Sequence, residues 1–125
     1  MILDTNAVSA LFAGATALDD VLARRSRHHL PVVVIGEYRF GILRSRSRSQ
    51  LESAFTGLIR ESIILGVDET TAEIYARVKD ELRTKGLPIP ANDVWIAALA
   101  LQHDQPVVSR DEHFDSVSGV ARIGW

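Results

Sequence analysis

The stretch MILDTN, residues 1–6, places a short apolar segment directly before three polar residues. Ile2–Leu3 has the composition of a strand in a sheet interior. Asp4 follows it at once, and a carboxylate at that position needs water, a hydrogen-bond donor or a cation. What Asp4 does there depends on where the other acidic residues of the chain fall.

Length and composition limit the classes of protein to which the chain belongs. Its 125 residues are the size of one domain, and its apolar share of 46% and charged share of 24% are typical of a globular protein. The net charge of −2 argues against a polybasic nucleic-acid coat. The absence of cysteine excludes disulfides, thiolate metal sites and cysteine nucleophiles. Without a leader or an apolar run of about 18 residues, the expected location is the cytoplasm, with no membrane contact.

Segments typical of strands and helices alternate along the chain. The pattern predicts strands at Ile2–Leu3, Pro31–Val34, Ile63–Val67, Pro106–Ser109 and Val120–Ile123. It predicts helices at Ala17–Arg25 with Thr16 as N-cap, about Gly36–Leu43, about Gln50–Arg60, Thr71–Thr84, and Asp93–Gln102 with Asn92 as cap. This alternation indicates one α/β domain, residues 1–125, with a central parallel sheet of four to five strands and helices on both faces.

Four acidic residues fall at the predicted strand ends or helix starts. Asp4 follows the first strand, Glu37 lies three residues after the second, and Asp111 lies two residues after Ser109, where the fourth ends. Asp93 opens the last helix. Because ligands of open parallel sheets bind beyond the carboxyl ends of the strands, we expect these carboxylates to converge there. Asp93 joins the other three if its helix begins on the same side.

Three of these acids also have a purely structural explanation, whereas Asp4, which directly follows an apolar strand, is the hardest to explain in that way. Asp93 and Glu37 suit the positive end of a helix dipole, and Asp111 suits a turn. Taken together, however, clustered carboxylates are costly, because two unpaired ones about 4 Å apart repel by about 4 kcal/mol at an effective dielectric of 20. A fold that gathers several normally binds hard cations. With no cysteine in the chain and no histidine at these positions, the oxygen ligands favour Mg²⁺ or Mn²⁺ over zinc.

Four segments carry a resemblance to a known family. LDTNAVS (3–9), VIGEYRFGI (34–42), PIPANDVWIAALAL (88–101) and PVVSRDEHF (106–114) resemble, in order and spacing, the motifs of PIN-domain nucleases. The similarity covers essentially the whole chain and is greatest to the VapC-like ribonuclease toxins of toxin–antitoxin pairs. It implies a Mg²⁺- or Mn²⁺-dependent endoribonuclease on a PIN-like fold. It also implies a homodimer, able to join a larger toxin–antitoxin assembly, and a cognate antitoxin that blocks the site.

The resemblance also assigns roles to residues by position. Asp4, Glu37, Asp93 and Asp111 become the acidic quartet that holds the metal and cleaves RNA. Within it, Asp4 and Asp93 are the direct ligands, and Glu37 and Asp111 complete the site. The polar neighbours that orient these carboxylates are Asn6 and Ser109; members often have threonine where this chain has Ser109, which keeps the hydroxyl.

Basic residues offer candidates for contact with RNA phosphates. The run RSRSRS, residues 44–49, is either a solvated helix end or a phosphate contact through Arg44, and Arg110 beside Asp111 is a second candidate. His113 is expected to pack or to face water, and Trp95 to belong to the core. Asp115 is a candidate for the rim of the site.

Two other functions fit a cluster of acids at strand ends. A receiver-like signalling module binds Mg²⁺ there and accepts a phosphoryl group, but it needs a lysine after a late strand. The lysines of this chain, Lys79 and Lys85, lie in or at the end of an earlier predicted helix. The other alternative is an inert PIN-fold protein that acts as a binding scaffold, although all four acids are present.

Overall fold

The computed structural model describes residues 1–24 and 27–125. The five strands of this part of the chain are β1 (Ile2–Leu3), β2 (His29–Pro31), β3 (Ile63–Leu65), β4 (Val107–Val108) and β5 (Arg122–Ile123). Its α-helices are α1 (Thr5–Phe12), α2 (Thr16–Leu22), α3 (Val32–Ile42), α4 (Arg48–Glu61), α5 (Glu69–Lys85) and α6 (Ala91–His103), and a 3₁₀-helix spans Glu112–Ser116. Strands and helices alternate as the sequence predicts.

The strands form one parallel sheet in the order β3-β2-β1-β4-β5. β1 is central, and Leu3 pairs with Val108 of β4. Successive strand residues point to opposite faces of a sheet, and Ile2, Leu3, Val107 and Val108 are all buried. Both faces are therefore covered, as the prediction of a parallel sheet between helices requires. The central position of β1 brings Asp4 to the middle of the carboxyl edge.

The region after β2 differs from the prediction. The predicted strand Pro31–Val34 is wrong beyond Pro31, because Val32 already begins α3. Pro31 lies in the N-cap position, where its fixed φ and missing N–H suit a helix start. Val34, Tyr38 and Ile42, spaced four residues apart, are buried on one face of α3. Packing of this face outweighs the strand preference of three consecutive valines, and it places Glu37 in the second turn of the helix.

The other helices also differ from the prediction. α4 and α5 each begin two residues earlier and end one residue later than predicted. The sequence analysis did not predict α1, which begins directly after Asp4, and Asp4 is its N-cap. α2 begins at Thr16 with Ala15 in the N-cap position, and the predicted end of this helix at Arg25 lies outside the described residues. Asn92 does not cap α6, since that helix begins at Ala91 with Pro90 in the N-cap position. The side chain of Asn92 is thereby available to another partner.

The helices α5 and α6 precede β4, and α6 positions Asp93. α5 ends at Gly86, whose φ of +69° is the left-handed conformation that glycine adopts without strain. The next helix, α6, is buried from Asp93 to Ala100 except at Trp95. Trp95 is half-buried and stacks on Tyr75 with ring centroids 3.9 Å apart. Asp93 is thus fixed in the first turn of a helix that cannot move without disrupting the core.

Candidate active site

A cleft of about 590 Å³ lies at the carboxyl ends of β1 and β4. All four predicted carboxylates line it, together with Arg110 and residues of α1. The lining residues are Asp4, Thr5, Asn6, Ser9, Ala10, Ala13, Glu37, Asp93, Arg110 and Asp111. The sheet edge therefore brings together acids from four separate parts of the chain, including Asp93.

Asp4 lies at the floor of the cleft and is only 4% exposed. One oxygen, Oδ1, accepts a hydrogen bond of 2.7 Å from the backbone N–H of Thr5 and so caps α1. The other, Oδ2, accepts 2.9 Å and 2.7 Å hydrogen bonds from Asn6 Nδ2 and Ser109 Oγ. Both oxygens are thus held in place, and Oδ1, which accepts one hydrogen bond, retains a lone pair for a further partner.

Asn6 and Ser109 connect Asp4 to the segment that follows β4, as neighbours of the kind that the sequence analysis expected. The hydroxyl of Ser109 is fully buried, and it accepts hydrogen bonds from Asn6 Nδ2 at 3.0 Å and from the backbone N–H of Asp111 at 2.9 Å. Asn6 Oδ1 accepts a 3.2 Å hydrogen bond from the backbone N–H of Arg110. These bonds fix the start of the loop that carries Asp111.

Glu37 enters the cleft from α3 and is held by two donors. Its Oε2 accepts a hydrogen bond from the Thr5 hydroxyl, and its Oε1 accepts one from Asn92 Nδ2. The donors belong to α1 and α6, so three helices meet at this one carboxylate. The sequence analysis identified Glu37 but neither of these partners.

Asp93 and Asp111 face each other across the imidazole of His113. His113 Nδ1 lies 2.9 Å from Asp93 Oδ2 and 2.9 Å from Asp111 Oδ1. Asp111 Oδ1 also accepts a 3.0 Å hydrogen bond from the backbone N–H of His113 and so caps the 3₁₀-helix. The structural explanation of Asp111 as a turn residue therefore holds alongside its place in the cleft. His113 does not simply pack or face water as expected, because its ring joins the two acids.

Burial and mutual repulsion change the acidity of these groups. Burial raises the pKa of Asp4 from its ordinary 3.8 to about 6, against the hydrogen bonds from Ser109 and Thr5, and the carboxylates of Asp93 and Glu37 add to the rise. Burial likewise raises the pKa of Asp93. The hydrogen bond to Asp93 raises the pKa of the His113 imidazole. The cleft therefore favours positive charge, whether a proton or a cation.

Comparison with known proteins places this fold and this cleft in one family. Residues 1–120 match the family described as the PIN domain. This chain belongs to the PIN-domain family.

Relatives of this PIN domain are similar to it along most of their length. Ribonuclease VapC5 of Mycobacterium tuberculosis is 31% identical, over 98% of this chain and 90% of its own. Toxin FitB of Neisseria gonorrhoeae is 30% identical over 89% of this chain and 87% of its own. A crystal structure of VapBC-5 from M. tuberculosis, a member of the VapBC family of toxin–antitoxin systems, superposes with a TM-score of 0.72. That chain is 29% identical, and the alignment covers 98% of this PIN domain and 94% of that chain.

The donor atoms of the cleft fit a divalent cation. Within residues 1–24 and 27–125, one group of potential ligand atoms is compact enough to hold an ion, with all its members within 4.8 Å of one another: Asp93, Asp111 and His113. Asp4 and Glu37 lie outside this group but line the same cleft. The neighbouring carboxylates add to the rise in the pKa of Asp4 and in that of Asp93. Partly desolvated carboxylates that repel one another are the environment in which a hard cation binds.

The basic candidates differ in position. Arg110 lines the cleft, and its guanidinium lies 4.8 Å from the centroid of the Trp125 ring, a cation–π contact. Arg44 is exposed and is not among the residues that line the cleft. Asp115, expected at the rim, forms an ion pair of 2.7 Å with Arg122 instead. Of the two basic candidates, Arg110 is therefore the one that lies beside the acids.

Two further observations bear on the alternatives. Lys79 and Lys85 both lie in α5, and no lysine lines the cleft in the described part of the chain, so a receiver-like site lacks its cation. None of the helices in residues 1–24 and 27–125 has the length and hydropathy that crossing a membrane requires. The PIN-domain membership and the intact cleft favour an enzyme over a receiver.

Proposed function

We propose that this PIN domain is a Mg²⁺- or Mn²⁺-dependent endoribonuclease that acts as the toxin of a type II toxin–antitoxin system. The observation that carries the proposal is the convergence of Asp4, Glu37, Asp93 and Asp111 on one cleft. Homology to Ribonuclease VapC5 over nearly the whole chain supports the choice of RNA as substrate.

The metal would be held by the carboxylates of the cleft. Asp4 and Asp93, both buried and positioned from different elements, serve as direct ligands, and Glu37 and Asp111 complete the site. When bound, a divalent cation makes water a better nucleophile and offsets the negative charge that develops on the cleaved phosphate.

The protein contributes by holding its charged groups in place before RNA arrives. Ser109 and Asn6 fix Asp4, and Thr5 and Asn92 fix Glu37, so these carboxylates lose little rotamer freedom on binding. Arg110 adds a guanidinium able to bind phosphate oxygens in bidentate fashion. The arrangement suits a backbone phosphate that enters between Arg110 and the acids.

Cleavage of RNA by the purified chain tests the nuclease. We expect cleavage of cellular RNA in Mg²⁺ or Mn²⁺, no cleavage in EDTA, and loss of cleavage in Asp4→Asn. Asp20→Asn, which alters an exposed aspartate of α2, is the matched control and should remain active. Cleavage that survives chelation, or that persists in Asp4→Asn, would contradict a metal mechanism at this site.

The toxin role requires a partner that neutralises the enzyme. We propose a cognate antitoxin whose tail occupies the acidic cleft, and a homodimer of the toxin, acting on RNA in the cytoplasm. The similarity to a chain of VapBC-5, a toxin–antitoxin system, supports the proposed antitoxin partner. Expression of the chain alone should arrest growth, and co-expression of the neighbouring small gene should restore it. Normal growth in cells that contain active enzyme would refute the toxin role and leave the nuclease intact.

The homodimer is tested by light scattering on the purified protein. The expected mass is twice that of the 13.8 kDa chain. A species of single-chain mass at micromolar concentration would contradict the dimer.

A further inference from the structure

His113 is the one nitrogen donor in the compact group of potential ligand atoms that the described residues form. We propose that His113 Nδ1 is a direct ligand of the divalent cation and that it makes the site bind Mn²⁺ in preference to Mg²⁺. The inference rests on the proposed metal-dependent function, but it concerns a residue that lies outside the acidic quartet.

The positions of the donor atoms support ligation. Adjacent ligands of an octahedral ion, each about 2.1 Å from the metal, lie about 3 Å apart. His113 Nδ1 is 2.9 Å from Asp93 Oδ2 and 2.9 Å from Asp111 Oδ1, so both pairs already have this spacing. A cation that enters the group replaces the Nδ1–Asp93 hydrogen bond with coordination, and the Nδ1 proton leaves to solvent, since a metal-bound nitrogen must be deprotonated. The ring needs little rearrangement.

The backbone around His113 holds the ring at the site independently of any ion. The 3₁₀-helix Glu112–Ser116 begins at Asp111, whose Oδ1 accepts the backbone N–H of His113 at 3.0 Å. The backbone N–H of Asp111 is bonded in turn to the buried hydroxyl of Ser109. The imidazole is 46% exposed, so it has an open side toward solvent from which an ion can enter.

The identity of the donor atoms determines which ion is favoured. Mg²⁺ is a hard cation that prefers oxygen and retains its water, whereas imidazole is a good ligand for transition metals. An imidazole among carboxylates therefore raises the affinity for Mn²⁺ more than the affinity for Mg²⁺. A site of four carboxylates alone lacks this difference.

His113 could instead act only by donating a hydrogen bond that orients Asp93. The variant His113→Asn separates the two roles, because its amide can still donate to Asp93 but offers no imidazole nitrogen. Loss of an orienting hydrogen bond lowers the affinities for both ions alike, whereas loss of a nitrogen ligand lowers the affinity for Mn²⁺ more than that for Mg²⁺. We expect the ratio of Mn²⁺ to Mg²⁺ affinities to fall about tenfold or more in His113→Asn.

Two measurements on the full chain without RNA test the proposal. Calorimetric titration with MnCl₂ and MgCl₂ gives the affinity ratio, and electron spin echo envelope modulation of bound Mn²⁺ detects a coordinated ¹⁴N nucleus. The parent should show the nitrogen signal and His113→Asn should lack it. His103→Asn is the control, since His103 lies at the far end of α6, about 15 Å along the helix from Asp93.

The outcomes are distinct from those of the cleavage assay. Mn²⁺ bound to the parent without a nitrogen signal, or an affinity ratio that His113→Asn leaves unchanged, overturns the proposal even if RNA is cleaved. A nitrogen signal lost only in His113→Asn supports it even if the RNA panel is not cleaved. Failure of Mn²⁺ to bind the parent overturns this inference, and failure of both Mn²⁺ and Mg²⁺ to bind overturns the metal-dependent function as well.

Discussion

Replacing Asp4 with asparagine should change how the stability of the metal-free protein depends on pH. Asp4 is buried and its pKa is raised to about 6, so the folded protein binds this proton more tightly than the unfolded chain does. Protonation of Asp4 therefore favours folding. The stabilisation is complete below pH 3.8 and is lost as the pH rises from 3.8 through about 6.

The size of the effect follows from the two pKa values. The difference between 3.8 and about 6 corresponds to about 3 kcal/mol of unfolding free energy. About half of it is lost by pH 5, and about 2.5 kcal/mol falls between pH 4 and pH 7. The asparagine of the Asp4→Asn variant cannot ionise, so the stability of the variant lacks this component. Its altered hydrogen bonds add a cost that does not depend on the ionisation of this side chain.

The assay is urea unfolding of the parent and of Asp4→Asn at several pH values between 4 and 7, in EDTA. The free energy of unfolding of the parent minus that of the variant should fall by about 2.5 kcal/mol from pH 4 to pH 7. Asp20→Asn, an exposed aspartate outside the cleft, is the control for the removal of one carboxylate. A difference that is flat or that rises with pH would refute the assignment of a raised pKa to Asp4. It would also remove the electrostatic reason for a cation at this position.

Three other perturbations test separate parts of the site. Asp93→Asn keeps the shape and one acceptor oxygen, so in EDTA at neutral pH it should be at least as stable as the parent, because burial raises the pKa of Asp93. Mg²⁺ should raise the melting temperature of the parent and raise that of the variant much less; a destabilised variant with an unchanged response would make Asp93 merely structural. Ser109→Ala removes the 2.7 Å hydrogen bond to Asp4, so it should lower the free energy of unfolding by about 1–3 kcal/mol and reduce RNA cleavage. Unchanged stability and cleavage would contradict the role of Ser109 in holding Asp4. Arg110→Gln should weaken RNA binding and reduce the slope of log affinity against log salt by about one, whereas Arg44→Gln, outside the cleft, should do so less; equal effects would place the RNA elsewhere.

The positions of the four acids could be predicted because their signal is local. Each stands next to an apolar run. Because the carboxyl ends of parallel strands lie at one edge of the sheet, acids at those ends are expected to converge there. Asp4 is the clearest case, since a carboxylate directly after Ile2–Leu3 has no structural explanation in the sequence alone. The structure adds one, because Asp4 also caps α1. Capping the helix does not prevent Asp4 from binding an ion, because Oδ1 accepts only the Thr5 N–H and keeps a lone pair, while Ser109 and Asn6 hold Oδ2.

The start of α3 could not be predicted from local preference. Three consecutive valines favour a strand, and this preference is decided by packing rather than by the backbone. The buried face formed by Val34, Tyr38 and Ile42 has helical spacing, but Tyr38 and Ile42 lie beyond the run of valines. A window that begins at Pro31 and extends to Ile42 contains the helical signal, whereas a window of four residues does not.

The partners of Glu37 and the place of His113 depend on contacts between distant parts of the chain. Asn92 is 55 residues from Glu37, and His113 is 20 residues from Asp93. Thr5 and Asn92 are ordinary polar residues with no periodicity to mark them. The sequence gives one signal for His113, its position two residues after Asp111. There the Asp111 carboxylate accepts the backbone N–H of His113 and so keeps His113 close to the acid.

The order in which the ribosome makes this chain determines when the cleft can form. β1 is synthesised first, yet it pairs with β4, and Ser109, which holds Asp4, lies 105 residues later. A nascent chain that has not yet reached β4 contains Asp4, Glu37 and Asp93 but lacks the strand and the hydroxyl that fix Asp4. Translation therefore has to pass Asp111 and His113, and the chain has to emerge far enough for β4 to insert beside β1, before a working cleft exists. Chains that terminate before β4 lack this cleft for the same reason.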